Sequence, residues 1–105
     1  MHKVCLITTP KDDGVRVARA IVEQKLAACV NIVPRVQSIY WWDGAIEEGE
    51  ESLLVVKTTE AALPGLTEAV RAVHPYDTFE LISLDINGGN AAYLDWIAAS
   101  VVIPR

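Results

Sequence analysis

The chain has 105 residues, of which 51% are hydrophobic and 22% are charged, so it can bury a core and does not have the composition of a disordered chain. Nine basic against 14 acidic residues give a net charge of −5, which disfavours a nucleic-acid partner because that partner needs a basic surface. Two cysteines outside any Cys-x-x-Cys pair exclude a disulfide scaffold and a zinc ribbon. The sequence shows neither an apolar run of about 18 residues nor a signal-peptide pattern, so we expect one domain over 1–105, cytoplasmic and without a membrane partner.

The first elements along the chain are a strand and a helix. An apolar run that Pro10 ends predicts a strand over 3–9. Apolar residues spaced three and four apart predict a helix over 15–28, with Asp12 or Asp13 as its N-cap.

A long hairpin follows. The β-rich stretch 30–42 contains Pro34, which cannot donate to a sheet ladder and therefore favours an edge strand. Asp43-Gly44 predicts a tight turn, after which a long arm starts near Ala45. The continuous apolar centre of 52–58 predicts a strand buried on both faces.

The remaining elements are a helix, a strand and a short terminal helix. The apolar stripe of 60–73 predicts a helix with Pro64 in its first turn, stopped by His74-Pro75. A fourth strand is expected over 79–86, and Asn90 is the expected N-cap of the last helix.

The order β-α-β-β-α-β plus a C-terminal helix predicts an α+β, ferredoxin-like domain with an antiparallel sheet. In that topology strands one and three are central and strands two and four lie at the edges. Pro34 in strand two and the apolar centre of strand three agree with these positions.

The predicted edge strand is long and ends in exposed aromatic residues. An unpaired apolar edge invites pairing with another chain, so we expect a closed homo-oligomer. The alternative is that the hairpin folds back over its own sheet. The expected interface residues are Ile39, Tyr40, Trp41 and Trp42.

Several segments, in order along nearly the whole chain, resemble the CutA family of divalent-cation tolerance proteins. They are KLAACVN at 25–31, SIYWW at 38–42, KTT at 57–59, HPY at 74–76, GN at 89–90 and YLDWI at 93–97. The resemblance implies a homotrimer assembled through extended hairpins, with a PII-like shape and clefts between subunits. It also implies a role in tolerance to divalent metals, chiefly copper, with no established catalytic activity.

The chain departs from the family pattern at three positions. Phe79 stands where the family usually has a proline, which bears on the start of strand four. Members proposed to bind copper have a cysteine and a second histidine at the positions of Ile7 and Val73. That copper site therefore lacks two of its ligands here.

The candidate metal ligands are His74, Asp77 and Glu80, because imidazole suits copper and the carboxylates follow closely in sequence. The alternative for His74 is to close the helix by bonding a terminal carbonyl. Cys29 could offer a thiolate, but its apolar setting favours a buried core residue, as does that of Cys5.

An acidic run over 47–51 could attract cations loosely, but no EF-hand spacing is present, which favours a solvated acidic loop.

A small-ligand cleft is the second candidate site. Tyr40 and Trp42 share one face of their strand, where they could form an aromatic wall or pack at an interface. Lys57 could bind an anionic group or pair with a glutamate. The expected lining is Tyr40, Trp42, Lys57, His74, Tyr76 and Glu80.

Other uses of this topology are excluded. Strand three lacks the aromatic-basic motifs of an RNA-recognition domain, and no Cys-x-x-Cys or glycine-rich phosphate loop follows strand one. No catalytic triad or carboxylate pair is visible, so we do not expect an enzyme or an organic cofactor. Three hypotheses stay open: weak binding of copper or another divalent cation, a PII-like sensor that binds a small ligand in the cleft between subunits, and a trimeric scaffold for another protein.

Overall fold

A computed structural model describes residues 1–103, which form four strands and three α-helices. The sheet has the order β2-β3-β1-β4, with every neighbouring pair antiparallel, which confirms the ferredoxin-like α+β prediction. The elements are β1 (His2–Pro10), α1 (Gly14–Glu23), β2 (Cys29–Trp42), β3 (Ala45–Thr59), a 3-10 turn (Glu60–Ala62), α2 (Leu63–Val73), β4 (Leu81–Asp85) and α3 (Ala91–Ser100).

The core lies between one face of the sheet and the helices α1 and α2. Alternate residues of the two central strands point into it, because strand side chains alternate between the two faces. Fully buried side chains from these strands are Cys5, Ile7, Leu54 and Val56, and those from the helices are Val17, Ile21, Leu66 and Val70. Burial of each large apolar side chain stabilises the fold by roughly 1.5–3 kcal/mol.

The first helix ends five residues earlier than the sequence predicts. Lys25 takes a left-handed conformation with φ of 59°, and Leu26 donates its backbone N–H to the carbonyl of Ile21. Lys25 itself donates to Val22, which completes a Schellman motif. Glycine usually occupies the left-handed position, and here a lysine does. Leu26 is still buried, which explains why the apolar spacing seemed to continue.

Asp13 confirms the predicted start of α1, whereas the start of the fourth strand differs from the prediction. Asp13 is the N-cap residue of α1, but its side chain makes no capping bond and pairs instead with Arg16. The fourth strand begins at Leu81 rather than Phe79, because Phe79 packs against the core instead of joining the ladder.

The β2–β3 hairpin is longer than the rest of the sheet. Both turn residues, Asp43 and Gly44, have positive φ, as a two-residue hairpin turn requires. A bulge between Val33 and Val36 contains Pro34 and confirms the edge position of β2. Beyond Glu51 the described ladder pairs the two arms only with each other, and most of their side chains are exposed.

Helix α3 reaches the face of the sheet opposite α1 and α2. Asn90 caps it by accepting bonds from the backbone N–H groups of Ala92 and Tyr93, as predicted. Tyr93 lies beside Cys29, whose strand neighbour Val30 faces the main core, so Cys29 faces away from it. None of the helices in this part of the chain combines the length and apolar character needed to cross a membrane.

Candidate functional site

The hairpin arm and the segment after α2 enclose a cleft of about 580 Å³. Two aromatic residues of β2 form one wall, and the segment 75–78 forms the other. The lining residues are Tyr40, Trp42, Pro75, Tyr76, Asp77 and Thr78. A volume of several hundred Å³ is typical of small-molecule sites.

The position of the second wall depends on His74, which ends α2 and is only 8% exposed. Its Nε2 lies 2.8 Å from the carbonyl oxygen of Thr8, and its Nδ1 accepts the backbone N–H of Tyr76 at 3.1 Å. A carbonyl oxygen only accepts, so Nε2 carries the proton and both ring nitrogens are satisfied. The ring thereby fixes the start of the segment that lines the cleft.

Phe79 anchors the other end of this segment. Its ring stacks on that of His74 with a centroid distance of 5.0 Å and an interplanar angle of 22°. The guanidinium of Arg71 lies 5.3 Å from the centre of the Phe79 ring. Phenylalanine at this position therefore adds packing and a cation–π contact to the base of the cleft wall.

The cleft lies in a negative environment. Burial raises the pKa of the Tyr76 phenol, and the negative charges of Glu51 and Asp13 raise it further. The phenol is therefore a stable hydrogen-bond donor at neutral pH. Tyr76 also borders a second recess that contains Asp12, Asp13 and Glu50, with Lys11 as its basic residue.

The proposed metal ligands do not form a cluster within one chain. Over residues 1–103, no group of three His, Cys, Asp or Glu side chains converges as a metal site. His74 has no free ring nitrogen, and Asp77 and Glu80 are exposed. The donor set at His74 therefore does not fit a resident copper ion in this conformation.

Some expected cleft residues lie elsewhere. Lys57 pairs with Cys29 at the far end of β3, and its Nζ donates to the side-chain oxygen of Asn31 rather than to a glutamate. Since Tyr40 pairs with Glu47, Lys57 is about 33 Å away along the strand. Within one chain the structure therefore brings Tyr40, Trp42 and Tyr76 together, but does not add Lys57, His74 or Glu80 to the described lining.

The two cysteines are free and occupy different environments. Cys5 is fully buried in the core, where burial raises the pKa of its thiol to about 11. Cys29 is half-buried beside Tyr93, and its Sγ lies 4.0 Å from the side-chain oxygen of Asn31. The prediction of a buried core residue is therefore confirmed for Cys5 and wrong for Cys29, which is half-buried and faces away from the main core.

The expected interface residues form a strongly exposed surface in the single chain. Trp41 is 74% exposed and Ile39 is 65% exposed. A contiguous exposed apolar surface of this kind is typical of an interaction site. Ile46, which the sequence interpretation missed, is paired with Trp41 and extends the same patch. The predicted two-residue turn at 43–44 could have identified Ile46, because such a turn fixes which residues of the two arms lie opposite each other.

Other proteins are similar to this chain in sequence and fold. The family described as "CutA1 divalent ion tolerance protein" matches residues 3–100. The divalent-cation tolerance protein CutA of Thermus thermophilus is 52% identical over 98 residues, which cover 92% of this chain and 95% of that protein. The chloroplastic protein CutA 1 of rice is 50% identical over 98 residues, which cover 92% of this chain and 55% of the rice protein. The chain thus spans about half the length of that relative.

Solved structures agree with the sequence matches. The Thermus thermophilus divalent cation tolerance protein superposes with a TM-score of 0.94 at 48% identity, covering 97% of this chain and 100% of that chain. CutA1 from Oryza sativa gives a TM-score of 0.93 at 48% identity, covering 96% of this chain and 94% of that chain. Because the family match, the sequence identity and the superposition each extend over nearly the full length, the chain belongs to the CutA1 divalent ion tolerance family.

Proposed function

We propose that this protein is a homotrimeric sensor of the divalent ion tolerance family that binds a small molecule in the cleft between the hairpin arm and the segment 75–78. The observation that carries the proposal is the convergence of Tyr40, Trp42 and Tyr76 on a cavity of about 580 Å³. Aromatic walls with a few polar groups are typical of small-ligand sites. Catalysis has no part in the proposal.

The trimer is supported by the exposed hairpin. Ile39, Trp41 and Ile46 form an exposed apolar surface on the hairpin. In the described chain, the strand pairing at these residues is only between the two arms of the hairpin. Burial of such a surface against another copy removes it from water and occupies a free strand edge.

A cytoplasmic location stays a prediction.

Weak binding of copper or another divalent cation is the second candidate. It is supported by the family description and by the exposed carboxylates of Asp77 and Glu80 next to the cleft wall. His74 could join them only by giving up its bonds to Thr8 and Tyr76. Binding of this kind would be weaker than at a converged set of ligands.

Native mass spectrometry during a titration with copper(II) chloride tests the assembly and separates these functions. We expect three chains of 11.5 kDa in one particle, without a discrete number of bound copper ions. A monomer would contradict the trimer. Three tightly held coppers, lost in the double variant Asp77→Asn/Glu80→Gln, would favour the metal-binding function.

Ligand binding is tested by saturation-transfer NMR with a fragment set of neutral, anionic and cationic compounds. We expect at least one class to bind the wild type and to lose binding in Trp42→Leu. The matched control is Trp96→Leu, which makes the same change on α3. If no class shows binding that depends on Trp42, the sensor function is wrong, and a trimer without ligand or copper favours the scaffold hypothesis.

A further inference from the structure

We propose that the cleft binds a small organic cation of the quaternary ammonium class. This inference rests on the sensor function proposed above and names the chemistry of its ligand. It combines two features of the cleft: aromatic faces from two separate segments and an excess of carboxylates around them.

The aromatic faces come together through the fold. Tyr40 and Trp42 are two positions apart on β2, so their side chains share one side of the strand. Tyr76 approaches from the segment after α2 and lines the same cavity. The electron-rich face of an aromatic ring attracts a cation, and tryptophan does so most strongly. Several such faces around one cavity favour an alkylated cation over an anion.

Carboxylates reinforce this preference. Asp77 lines the cavity itself, and Glu47 is the cross-strand partner of Tyr40. Besides burial, the charges of Glu51 and Asp13 raise the pKa of the Tyr76 phenol, so negative charge adjoins this side of the cleft. An anionic ligand would be repelled under these conditions.

Basic groups nearby only partly offset these charges. Lys11 borders the adjoining recess rather than the cleft, and Arg16 is engaged with Asp13 and with the carbonyl oxygen of Val73. Arg71 pairs with Glu68 and lies over the ring of Phe79, so no basic group is among the described lining residues of the cleft.

The same geometry disfavours a bare metal ion in this cavity. Divalent cations need several converging oxygen, nitrogen or sulfur ligands, and Asp77 is the carboxylate among the described lining residues. A quaternary ammonium ion has no N–H group and needs no hydrogen-bond acceptor. Its weakly hydrated alkyl groups can lie against the rings of Tyr40, Trp42 and Tyr76, while Asp77 neutralises its charge.

The inference is tested by saturation-transfer NMR titrations of the full chain with three probes. Tetramethylammonium chloride is the cation, tert-butanol is a neutral molecule of similar shape, and sodium acetate is the anion. We expect tetramethylammonium to bind and the other two to bind at least about tenfold more weakly. Trp42→Leu should weaken tetramethylammonium binding by about five- to thirtyfold. Asp77→Asn should weaken it by a smaller factor that shrinks as salt is added.

Two control variants make the same chemical changes away from the cleft. Trp96→Leu and Asp95→Asn, both on exposed positions of α3, should bind tetramethylammonium as the wild type does. Because Trp42 is also an expected interface residue, native mass spectra of all four variants must show an unchanged assembly before a loss of binding is attributed to the cleft. Trp42 and Asp77 are exposed, so their replacement should not unfold the chain.

The outcomes separate the two proposals. If tert-butanol or acetate binds in a Trp42-dependent way as tightly as tetramethylammonium, the cleft is a ligand site and the cation class is wrong. If none of the three probes binds but another fragment does, the cation class is wrong and the sensor function stands. If neither the probes nor the fragments bind, both proposals are wrong.

Discussion

Nε2 of His74 lies 2.8 Å from the carbonyl oxygen of Thr8, 66 residues earlier in the chain. This bond joins the end of α2 to the central strand β1. On its other side the same ring accepts the backbone N–H of Tyr76, which lines the cleft. One buried imidazole thus sets the distance between the sheet and the cleft wall.

Replacement of His74 by alanine should therefore destabilise the protein. The variant loses two hydrogen bonds and the stack on Phe79, and it leaves a carbonyl oxygen of β1 without its partner. We expect the free energy of unfolding to fall by about 2–4 kcal/mol, measured by urea denaturation at a fixed protein concentration. Glu68→Ala, at an exposed position of α2, is the control and should change it little. A loss below about 0.5 kcal/mol for His74→Ala would contradict this role.

Gly14 lies too close to β3 for any larger residue. A Cβ at this position would lie 2.9 Å from the Cβ of Ser52, which is buried and cannot move freely. The Ser52 hydroxyl lies 3.0 Å from the carbonyl oxygen of Lys11 and 3.3 Å from that of Pro34, so its single proton is shared between these two acceptors. Gly14→Ala should therefore cost about 1–3 kcal/mol of stability in thermal or urea unfolding.

Gly49 offers a matched control for that substitution. A Cβ there would have no heavy atom within 4 Å, so Gly49→Ala should be neutral or slightly stabilising. Equal losses for the two alanine variants would show that the close approach of α1 to β3 is not the cause.

The buried thiol of Cys5 should make the protein less stable in alkaline solution. Burial raises the pKa of its thiol from 9.0 to about 11, so between these values the folded state holds a proton that the unfolded state releases. Stability must then fall as the pH rises, by about 1.3 kcal/mol between pH 8 and pH 10. Urea unfolding of wild type and Cys5→Ala at both pH values measures it. The free energy of unfolding should fall more between pH 8 and pH 10 in the wild type than in Cys5→Ala. Equal falls in the two proteins would contradict the assignment to Cys5.

Asn90 should stabilise the last helix through its side chain. Its Oδ1 accepts the backbone N–H groups of Ala92 at 3.0 Å and Tyr93 at 3.4 Å. We expect Asn90→Ala to cost about 1 kcal/mol and to increase amide exchange in the first turn of α3, as seen by NMR. Asn87→Ala, at an exposed position before that helix, is the control. Unchanged exchange at Ala92 and Tyr93 would rule out the cap.

Most of the fold could be predicted from local patterns. The central position of β1 and β3 followed from the ferredoxin-like order of the elements, with which the apolar centre of β3 agrees. The edge position of β2 followed from Pro34, because a proline lacks the donor that an inner strand needs. The end of α1 could not be predicted in this way. Lys25 adopts a conformation typical of glycine, and the Schellman bonds and the packing of Leu26 compensate for the strain.

The candidate site was only partly predictable. Alternation along a strand placed Tyr40 and Trp42 on one side, and the structure brings Tyr76 to them. Lys57 was assigned to the same cleft from its position at the end of a strand, yet the length of the hairpin keeps it far away within one chain. Pro75 and Thr78 were not predicted, because nothing in a loop sequence shows which strand it will meet.

The sequence by itself determined the element types, because apolar period, turn residues and proline positions act over a few neighbouring residues. The ferredoxin-like element order indicated the sheet order, and the resemblance of several segments indicated the family; both predictions are confirmed. Only the tertiary structure decided the state of His74. Its ring meets Thr8 across 66 residues of chain, and that contact satisfies both nitrogens and removes a free ligand for a metal. Tertiary packing also formed the cleft, since its walls come from segments that only the folded sheet places side by side.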